Sequence, residues 1–206
     1  MSKVSSRDTK RLQTKERLFD ASVAEFKRNG MAAADIKEIV SAAGVAHGTF
    51  FFHFPTKEHV LLELEVREEE RMAQELGRSF KKKRDLPATL NEIIRVVQAL
   101  ERRLGVNLFK DFLALHFSTT RPPHEEWQHH PFIIAVVEEL ERARERGELA
   151  ADTDAFHSGV FFLLGLYALL ITIPSTPALR KPVLQKYVET SLHGMCGHES
   201  SRPAPR

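Results

Sequence analysis

The chain has 206 residues, and 42% of them are hydrophobic, which is ample for a packed core and excludes a chain that is disordered throughout. Its 30 lysine and arginine side chains nearly balance 28 aspartate and glutamate side chains, so the net charge of +2 alone gives no argument for a nucleic-acid partner. The single cysteine, Cys196, excludes an intrachain disulfide framework and suits a reducing cytoplasm.

The first thirty residues have a local excess of positive charge. They contain eight basic and four acidic side chains, a modest surplus that suits a surface facing phosphate. We predict a mobile basic arm over residues 1–10 and an amphipathic helix over residues 14–28, closed by Asn29-Gly30. The start is polar and charged and has no signal-peptide pattern, so we expect no signal peptide.

Two short helical patterns follow, one on either side of a glycine. Asp35 followed by Glu38 has the form of a helix N-cap with a partner that reaches back to it, and it predicts a short helix. Gly44 then tolerates the left-handed conformation, so the chain can turn sharply. The sequence AHGTFFFHF, from Ala46, predicts a second helix that the next proline ends. The pattern indicates a helix-turn-helix.

The second of these helices has two different sides. Ala46, Phe50 and Phe54 share one side at 100° per residue, and this side is predicted to pack inward. The outward side combines a glycine with small polar and aromatic groups, and His47 lies near the helix start, where recognition helices meet base edges. The arrangement is typical of a helix that docks in a DNA groove.

Three segments in this region agree with one known family in order and spacing. They are LFDASVAEFKRNG at residues 18–30, IKEIVSAAGV at residues 36–45 and HGTFFFHFPTKEHVL at residues 47–61. On these segments, residues 14–62 resemble the N-terminal domain of the tetracycline-repressor (TetR) family of bacterial transcription regulators.

The resemblance implies an all-α fold of about nine helices. A three-helix helix-turn-helix domain for DNA binding would precede a larger C-terminal helical domain for effector binding and dimerisation. The predicted boundaries are residues 11–71 for the first domain, which includes the start of a connecting helix, residues 72–196 for the second, and residues 197–206 for a flexible tail.

The resemblance also implies which side chains face operator DNA. Relatives commonly have lysine where His47 stands and tyrosine where Phe51 and Phe52 stand, so two hydroxyl groups and one fixed charge are missing here. We expect fewer hydrogen bonds to phosphate and more apolar contact with thymine methyl groups. The predicted DNA-binding residues are Lys37, Ala46, His47, Gly48, Thr49, Phe51, Phe52, His53 and Lys57.

Lys57 begins a long helix that Thr56 can cap. A cation in the first turn is disfavoured by the helix dipole unless an anion is near, and a DNA phosphate would be that anion. The alternative interpretation is a solvated lysine. The long helix is expected to join the DNA-reading part to the rest of the chain.

The sequence after this helix predicts further helices. The basic run at residues 81–84 is interpreted as a solvated linker, and apolar side chains recur at helical spacing over residues 88–104. Pro131 either kinks a helix or takes the first position of a new one.

The last two helices are predicted over residues 154–173, with Asp152 or Thr153 as the cap, and over residues 178–195. The first of them is apolar nearly all round, so we expect a partner subunit to bury it. Its apolar run over residues 159–173 is shorter than the roughly twenty residues that a bilayer needs, so we predict a buried helix and no membrane partner.

By the same resemblance, the central helices enclose a small-molecule pocket. Aromatic side chains at helical spacing are alternatively plain core, but a pocket lined by some of them would suit a bulky, largely apolar ligand. The candidate pocket residues are Phe109, Phe112, His116, Trp127, Phe132, Phe162 and Tyr167. The candidate residues of a dimer interface are Phe161, Leu164, Leu184, Tyr187 and Val188.

The ten histidines raise the question of a metal site. His116, His124, His129 and His130 form no ligand pair with an obvious carboxylate on one helix face, and no cysteine lies among them. The sequence also has no catalytic triad order, phosphate loop or dinucleotide-binding motif. We therefore predict no metal, no cofactor and no enzymatic activity.

These observations favour a homodimeric DNA-binding transcription regulator of the cytoplasm, associated with the nucleoid. It would act as a repressor that a small, largely apolar effector releases from a near-palindromic operator. The alternative is a helical protein-interaction module with a degenerate helix-turn-helix. The missing tyrosines, the change at His47, and Ala46, where relatives commonly have serine or threonine, motivate this alternative.

Overall fold

The computed structural model describes residues 6–119, 121 and 130–196. Nine α-helices and no strand occur in these residues, which confirms the predicted all-α fold. The helices are α1 (Ser6–Ala33), α2 (Ile36–Ala43), α3 (His47–His53), α4 (Lys57–Ser79), α5 (Leu86–Leu104), α6 (Val106–Leu115), α7 (Pro131–Glu145), α8 (Ala155–Thr172) and α9 (Pro177–Cys196).

The first helix is longer than the sequence predicted. It begins at Ser6, so the prediction of a mobile arm is wrong for residues 6–10, and the rest of that arm lies outside the described residues. Asp8 lies in the first turn, where a negative charge complements the helix dipole and favours a helical start. Gly30 interrupts α1 with a φ of 75° and a ψ of 158°, at the predicted stop.

The caps of α2 define the turn between α2 and α3. Asp35 accepts a hydrogen bond from the Lys37 backbone N–H at 2.7 Å, as an N-cap does. Gly44 has a φ of 63° and ends the helix in the left-handed conformation, which confirms the predicted turn. The carboxylate that hydrogen-bonds the Asp35 backbone is the buried Glu25 of α1, where the sequence predicted Glu38.

The chain forms two compact units. The first contains residues 6–68 with residues 100–119 and 121, and the second contains residues 69–99 with residues 130–196. The predicted domains assigned residues 100–119 to the C-terminal part, whereas in the structure these residues pack in the first unit. The reason is that α6 lies against α1.

The first unit has a continuous apolar core under the helix-turn-helix. α1 packs against α2 and α6, and α2 packs against α3. The core includes side chains from five helices, each removed from solvent, and this burial is the main stabilising term. Its fully buried members include Phe26, Ile39, Phe50, Leu61 and Phe109.

The second unit is built around α7, α8 and α9. Pro131 takes the first position of α7, which decides between the two interpretations of that proline. The cap of α8 is Asp154, whose carboxylate accepts from the His157 backbone N–H at 2.8 Å, where Asp152 or Thr153 was predicted. A carboxylate directly before the first helical residue reaches this N–H better than the earlier side chains do.

The helix α8 is apolar on most of its surface. Its 18 residues have a mean hydropathy of 1.8, so by length and composition it qualifies as a membrane-spanning helix, but 39% of it is buried inside the chain and core helices meet the same criteria. Phe161 on this helix is 66% exposed. A single chain therefore leaves part of α8 uncovered.

Gly165 of α8 allows the close approach of Tyr187 from α9. A Cβ atom at Gly165 would lie 2.5 Å from Tyr187 Oη and 3.1 Å from its ring. The Tyr187 hydroxyl donates to the Phe162 carbonyl at 2.5 Å, and its ring stacks on the Phe162 ring with centroids 5.1 Å apart. Burial raises the pKa of Tyr187 to about 12, so the hydroxyl keeps its proton.

We expect Gly165→Ala to lower the free energy of unfolding by about 1–3 kcal/mol, because the new methyl group must displace a packed ring. Urea denaturation followed by circular dichroism measures the change. Gly194→Ala is the matched control, because a Cβ there meets no described atom within 4 Å. It should stabilise the chain by up to about 1 kcal/mol, as alanine does in a helix. Equal stability of Gly165→Ala and the wild type would contradict this packing.

Candidate nucleic-acid interface

The helix α3 divides into a buried and an exposed side. Phe50 is fully buried and Phe54 is 2% exposed, so these two rings anchor the helix on the core of the first unit. Ala46, which the periodicity placed on the inward side, is exposed because it lies before the first turn as the N-cap residue. The remaining predicted side chains of α3 face outward: His47, Gly48, Phe51 and Phe52 are exposed, and Thr49 and His53 are half-buried.

Gly48 lies in this exposed side. It is helical and lacks the positive φ of Gly44, and a Cβ there would meet no described atom within 4 Å. Neither the backbone conformation nor packing within the chain requires a glycine, although glycine in a helix costs roughly 1 kcal/mol relative to alanine. A surface with no side chain at this point lets another molecule approach the backbone of α3 closely.

Basic side chains of α1 lie close to the C-terminal end of α3. Burial, together with the positive charges of Arg11 and Lys15, lowers the pKa of His53 below its ordinary value. Lys15 also lies over the Phe54 ring, 5.5 Å from its centroid, and pairs with Glu63 at 2.8 Å. Arg11 and Lys15 thus place basic groups beside α3, with the Lys15 charge balanced by Glu63, and basic groups at such a surface suit an anionic partner.

Lys57 has a structural role that the sequence did not indicate. Its Nζ donates hydrogen bonds to three carbonyl oxygens near the end of α1, those of Met31 at 2.7 Å, Ala32 at 3.1 Å and Ala34 at 3.2 Å. Carbonyl groups after the last helical turn lack helical partners and carry partial negative charge. They supply the anionic surroundings that Lys57 needs at the start of α4, and a DNA phosphate at Lys57 stays a prediction. Lys37, by contrast, is exposed on α2.

A buried charged cluster lies in the same unit. Glu65 of α4 is 1% exposed, His116 Nε2 lies 3.0 Å from its Oε1, and Arg121 Nη2 donates to its Oε2 at 2.8 Å. Burial alone raises the pKa of the Glu65 carboxyl, but the hydrogen bonds and charges of His116 and Arg121 outweigh burial and hold this pKa below 4.5. The sequence offered one signal for this cluster, a glutamate four residues after the buried Leu61.

The other predicted sites are distributed over both units. Three of the candidate pocket side chains are buried in the first unit, those of Phe109, Phe112 and His116. Three others are buried in the second unit, those of Phe132, Phe162 and Tyr167. The remaining candidate, Trp127, lies outside the described residues. Of the four histidines considered for a metal, His116 contacts Glu65 and His130 contacts Glu69 at 2.7 Å, and His124 and His129 are not described.

The candidate interface residues form two groups. Phe161 is exposed and Leu164 is half-buried. Leu184 and Val188 are already buried in the single chain, and Tyr187 packs on Phe162. The interface itself stays a prediction.

Taken together, a capped α2, a left-handed glycine turn and an α3 that is anchored by Phe50 define a helix-turn-helix DNA-binding domain. Residues 18–64 match the family model of the bacterial regulatory proteins of the tetR family. This part of the chain therefore belongs to the TetR family of DNA-binding domains, which confirms the resemblance seen in the sequence.

One curated relative is similar over about a quarter of this chain. The chain is 42% identical over 50 residues to the uncharacterized HTH-type transcriptional regulator YerO of Bacillus subtilis. The match covers 24% of this chain and 17% of that relative, so most of both proteins lies outside it.

Solved structures resemble the chain over most of its length. Thermus thermophilus FadR, a TetR family transcriptional repressor in complex with lauroyl-CoA, is 24% identical with a TM-score of 0.65, covering 93% of this chain and 99% of that one. The ketosteroid transcriptional regulator KstR2 of Mycobacterium tuberculosis is 21% identical with a TM-score of 0.56, covering 95% and 97%. At these identities the likeness establishes the shared fold.

Proposed function

We propose that the chain is a DNA-binding transcription regulator of the cytoplasm, associated with the nucleoid, that reads a near-palindromic operator as a homodimer. The observation that carries this proposal is the exposed side of α3, where Gly48 leaves the helix backbone open and basic residues of α1 lie beside it. Successive major grooves on one face of DNA are about one helical turn apart, which suits two copies of such a domain. The two neighbours in fold described above are regulators by name, which supports a role other than catalysis.

Selection of bound duplexes from a random pool tests the proposal directly. A recurring half-site in two inverted copies is the expected result. Binding should weaken steeply with salt, because each neutralised phosphate contributes a slope of about −0.9 in log K against log salt. If no duplex is selected, and if the binding of the chain to DNA does not depend on salt concentration, the alternative of a protein-interaction module is favoured.

Gly48→Ala separates folding from DNA binding. The variant should be about 0.5–1 kcal/mol more stable in urea, because alanine replaces a helical glycine in open space. It should bind the selected duplex about tenfold more weakly, roughly 1.4 kcal/mol, because the methyl group blocks close approach.

Gly77→Ala is the control for Gly48→Ala. Gly77 lies in α4, and a Cβ there also meets no described atom within 4 Å. This variant should be stabilised to a similar extent and keep wild-type affinity in a fluorescence anisotropy titration. Unchanged affinity in Gly48→Ala as well would remove α3 from the DNA contact.

The proposed regulation is repression that a small, largely apolar effector relieves. An effector acts this way only if it binds better to a conformation that does not fit the operator. Two of the similar structures, FadR of Thermus thermophilus and FadR of Bacillus subtilis, were solved with lauroyl-CoA and stearoyl-CoA, and the aromatic side chains of this chain suit an acyl chain. These two acyl-CoA compounds, with free coenzyme A as the control, are the first ligands to test for release of DNA.

Dimerisation is proposed through α8 and α9. The uncovered part of α8, with Phe161 and the half-buried Leu164, is the face that a second copy would bury. Multi-angle light scattering should give twice the chain mass of 23.5 kDa. A monodisperse monomer at micromolar concentration would contradict this part of the proposal.

A further inference from the structure

Two neighbouring phenylalanines of α3 present large apolar surfaces to solvent. Phe52 is 71% exposed and Phe51 is 45% exposed. Both lie on a helix of only seven residues, which the buried rings of Phe50 and of the C-cap residue Phe54 anchor on the core. Phe52 therefore adds little buried area to the folded chain, and Phe51 leaves nearly half of its surface in solvent, so packing within the chain does not explain this exposed aromatic surface.

The two exposed rings are held in defined positions by their neighbours. The Phe51 ring lies edge-on to the buried Phe50 ring with centroids 5.4 Å apart, and 5.5 Å from the His47 ring. The Phe52 ring lies edge-on to the half-buried His53 ring at 5.1 Å. Edge-to-face contacts of this kind favour one ring orientation. The rings are thus presented on α3 as ordered apolar surfaces.

A phenyl ring restricts what such a surface can recognise. It has no hydrogen-bond donor or acceptor, so it cannot pair with a phosphate oxygen or with the polar edge of a base. In the major groove the prominent apolar group is the C5-methyl group of thymine, which distinguishes an A·T pair and its orientation from the other pairs. Ordered phenyl rings on a groove-facing helix match this group and no polar one.

We infer that Phe51 and Phe52 determine specificity by contacting thymine methyl groups, so that each operator half-site carries thymine opposite α3. The inference rests on the proposed DNA-binding function. His47 and Thr49 on the same helix have polar groups for neighbouring base edges, so the two phenylalanines would add the apolar part of the recognition.

Replacement of single thymines by deoxyuridine in the selected duplex tests this inference, because it removes a methyl group and leaves every hydrogen-bonding group in place. At one or two positions in each half-site, the wild-type affinity should fall by about three- to fivefold, as expected when one buried methyl group is lost. Fluorescence anisotropy titration of the full-length chain measures the change at constant salt.

The variants Phe51→Ala and Phe52→Ala show which of the two rings contacts a given thymine methyl group. A variant that lacks the contacting ring should bind the thymine and deoxyuridine duplexes equally at that position, whereas Phe52→Leu should retain part of the difference. Phe117→Ala is the matched control, because Phe117 is 52% exposed outside α3. It should leave the full difference in place. Thermal melts establish that each variant is folded.

The outcomes separate the inference from the function on which it rests. If no duplex is selected, the proposed function fails. If a duplex is bound but every deoxyuridine substitution leaves the affinity unchanged, DNA binding stands and methyl recognition is overturned. It is also overturned if the effect of deoxyuridine persists in both alanine variants, because the methyl group would then act through DNA shape or another side chain.

Discussion

Glu65→Gln is expected to destabilise the chain by about 3 kcal/mol, a large part of the 5–15 kcal/mol that stabilises a typical domain. The substitution keeps the shape of the side chain and removes its charge, so Arg121 loses the carboxylate that it hydrogen-bonds at 2.8 Å. An arginine side chain keeps its proton in a protein, so Arg121 stays charged beside the neutral amide. Most of the penalty therefore comes from Arg121. Its side chain is 20% exposed, which places the estimate at the lower end for a broken buried pair.

Urea denaturation at pH 7 measures this effect, and Glu138→Gln is its control. Glu138 lies on α7 with a side chain that is 61% exposed, 3.9 Å from Arg142, and exposed pairs of this kind contribute less than about 1 kcal/mol. Similar losses for the two variants would show that the buried cluster is no more important than a surface pair.

The same variant has a defined pH dependence. The pKa of Glu65 is lower in the folded chain than its ordinary value of 4.5. The stability from this shift is therefore fully present above pH 4.5 and is lost as the pH falls through the folded pKa. The stability difference between the wild type and Glu65→Gln should shrink as the pH falls below 4.5, and it should be smallest below the folded pKa, where both forms carry a neutral side chain at this position. A difference that grows in acid would contradict the assigned ion pairs.

Lys57→Met is expected to lower the free energy of unfolding by about 1–3 kcal/mol in the absence of DNA, because the hydrogen bonds from the ammonium group to the carbonyls of Met31, Ala32 and Ala34 are lost. Methionine keeps an unbranched chain of similar length and removes the ammonium group. Lys27→Met, at an exposed position of α1, is the matched control and should change stability by less than about 0.5 kcal/mol. If both variants are as stable as the wild type, the three hydrogen bonds do not stabilise the fold.

Salt titrations on the selected duplex then address the predicted phosphate contact of Lys57. Loss of one phosphate contact reduces the slope of log K against log salt by about 0.9, whereas a side chain that only caps α1 leaves the slope unchanged. Stability and slope are separate measurements, so the variant distinguishes a capping lysine from a DNA-contacting lysine or identifies one that does both.

Local patterns in the sequence predicted the parts of the fold that depend on near neighbours. Asp35 and Gly44 cap α2 as predicted because both act on backbone groups within a few residues. Helical spacing also predicted that Phe50 and Phe54 are buried and that Phe52 is exposed.

Contacts between residues far apart in the chain could not be predicted in this way. Arg121 lies 56 positions after Glu65, and Lys57 lies 26 positions after Met31, so no helical period connects either pair. The residue type at Lys57 did not indicate its partner either, because a lysine that caps a distant helix and a lysine that binds phosphate look the same in the sequence. Side-chain contacts of α4 with the end of α1 and with the residues that follow α6 bring these groups together.

The anchoring of the α1 end by α6 has a consequence for amide hydrogen exchange. The Met31 N–H follows the interruption at Gly30 and donates to Asp111 Oδ2 of α6 at 2.6 Å. Exchange of this backbone proton therefore requires the hydrogen bond to Asp111 of α6 to open, even when the ladder of α1 stays closed. The rate of deuterium uptake at the Met31 amide therefore reports on the contact between α1 and α6 in the unmodified chain.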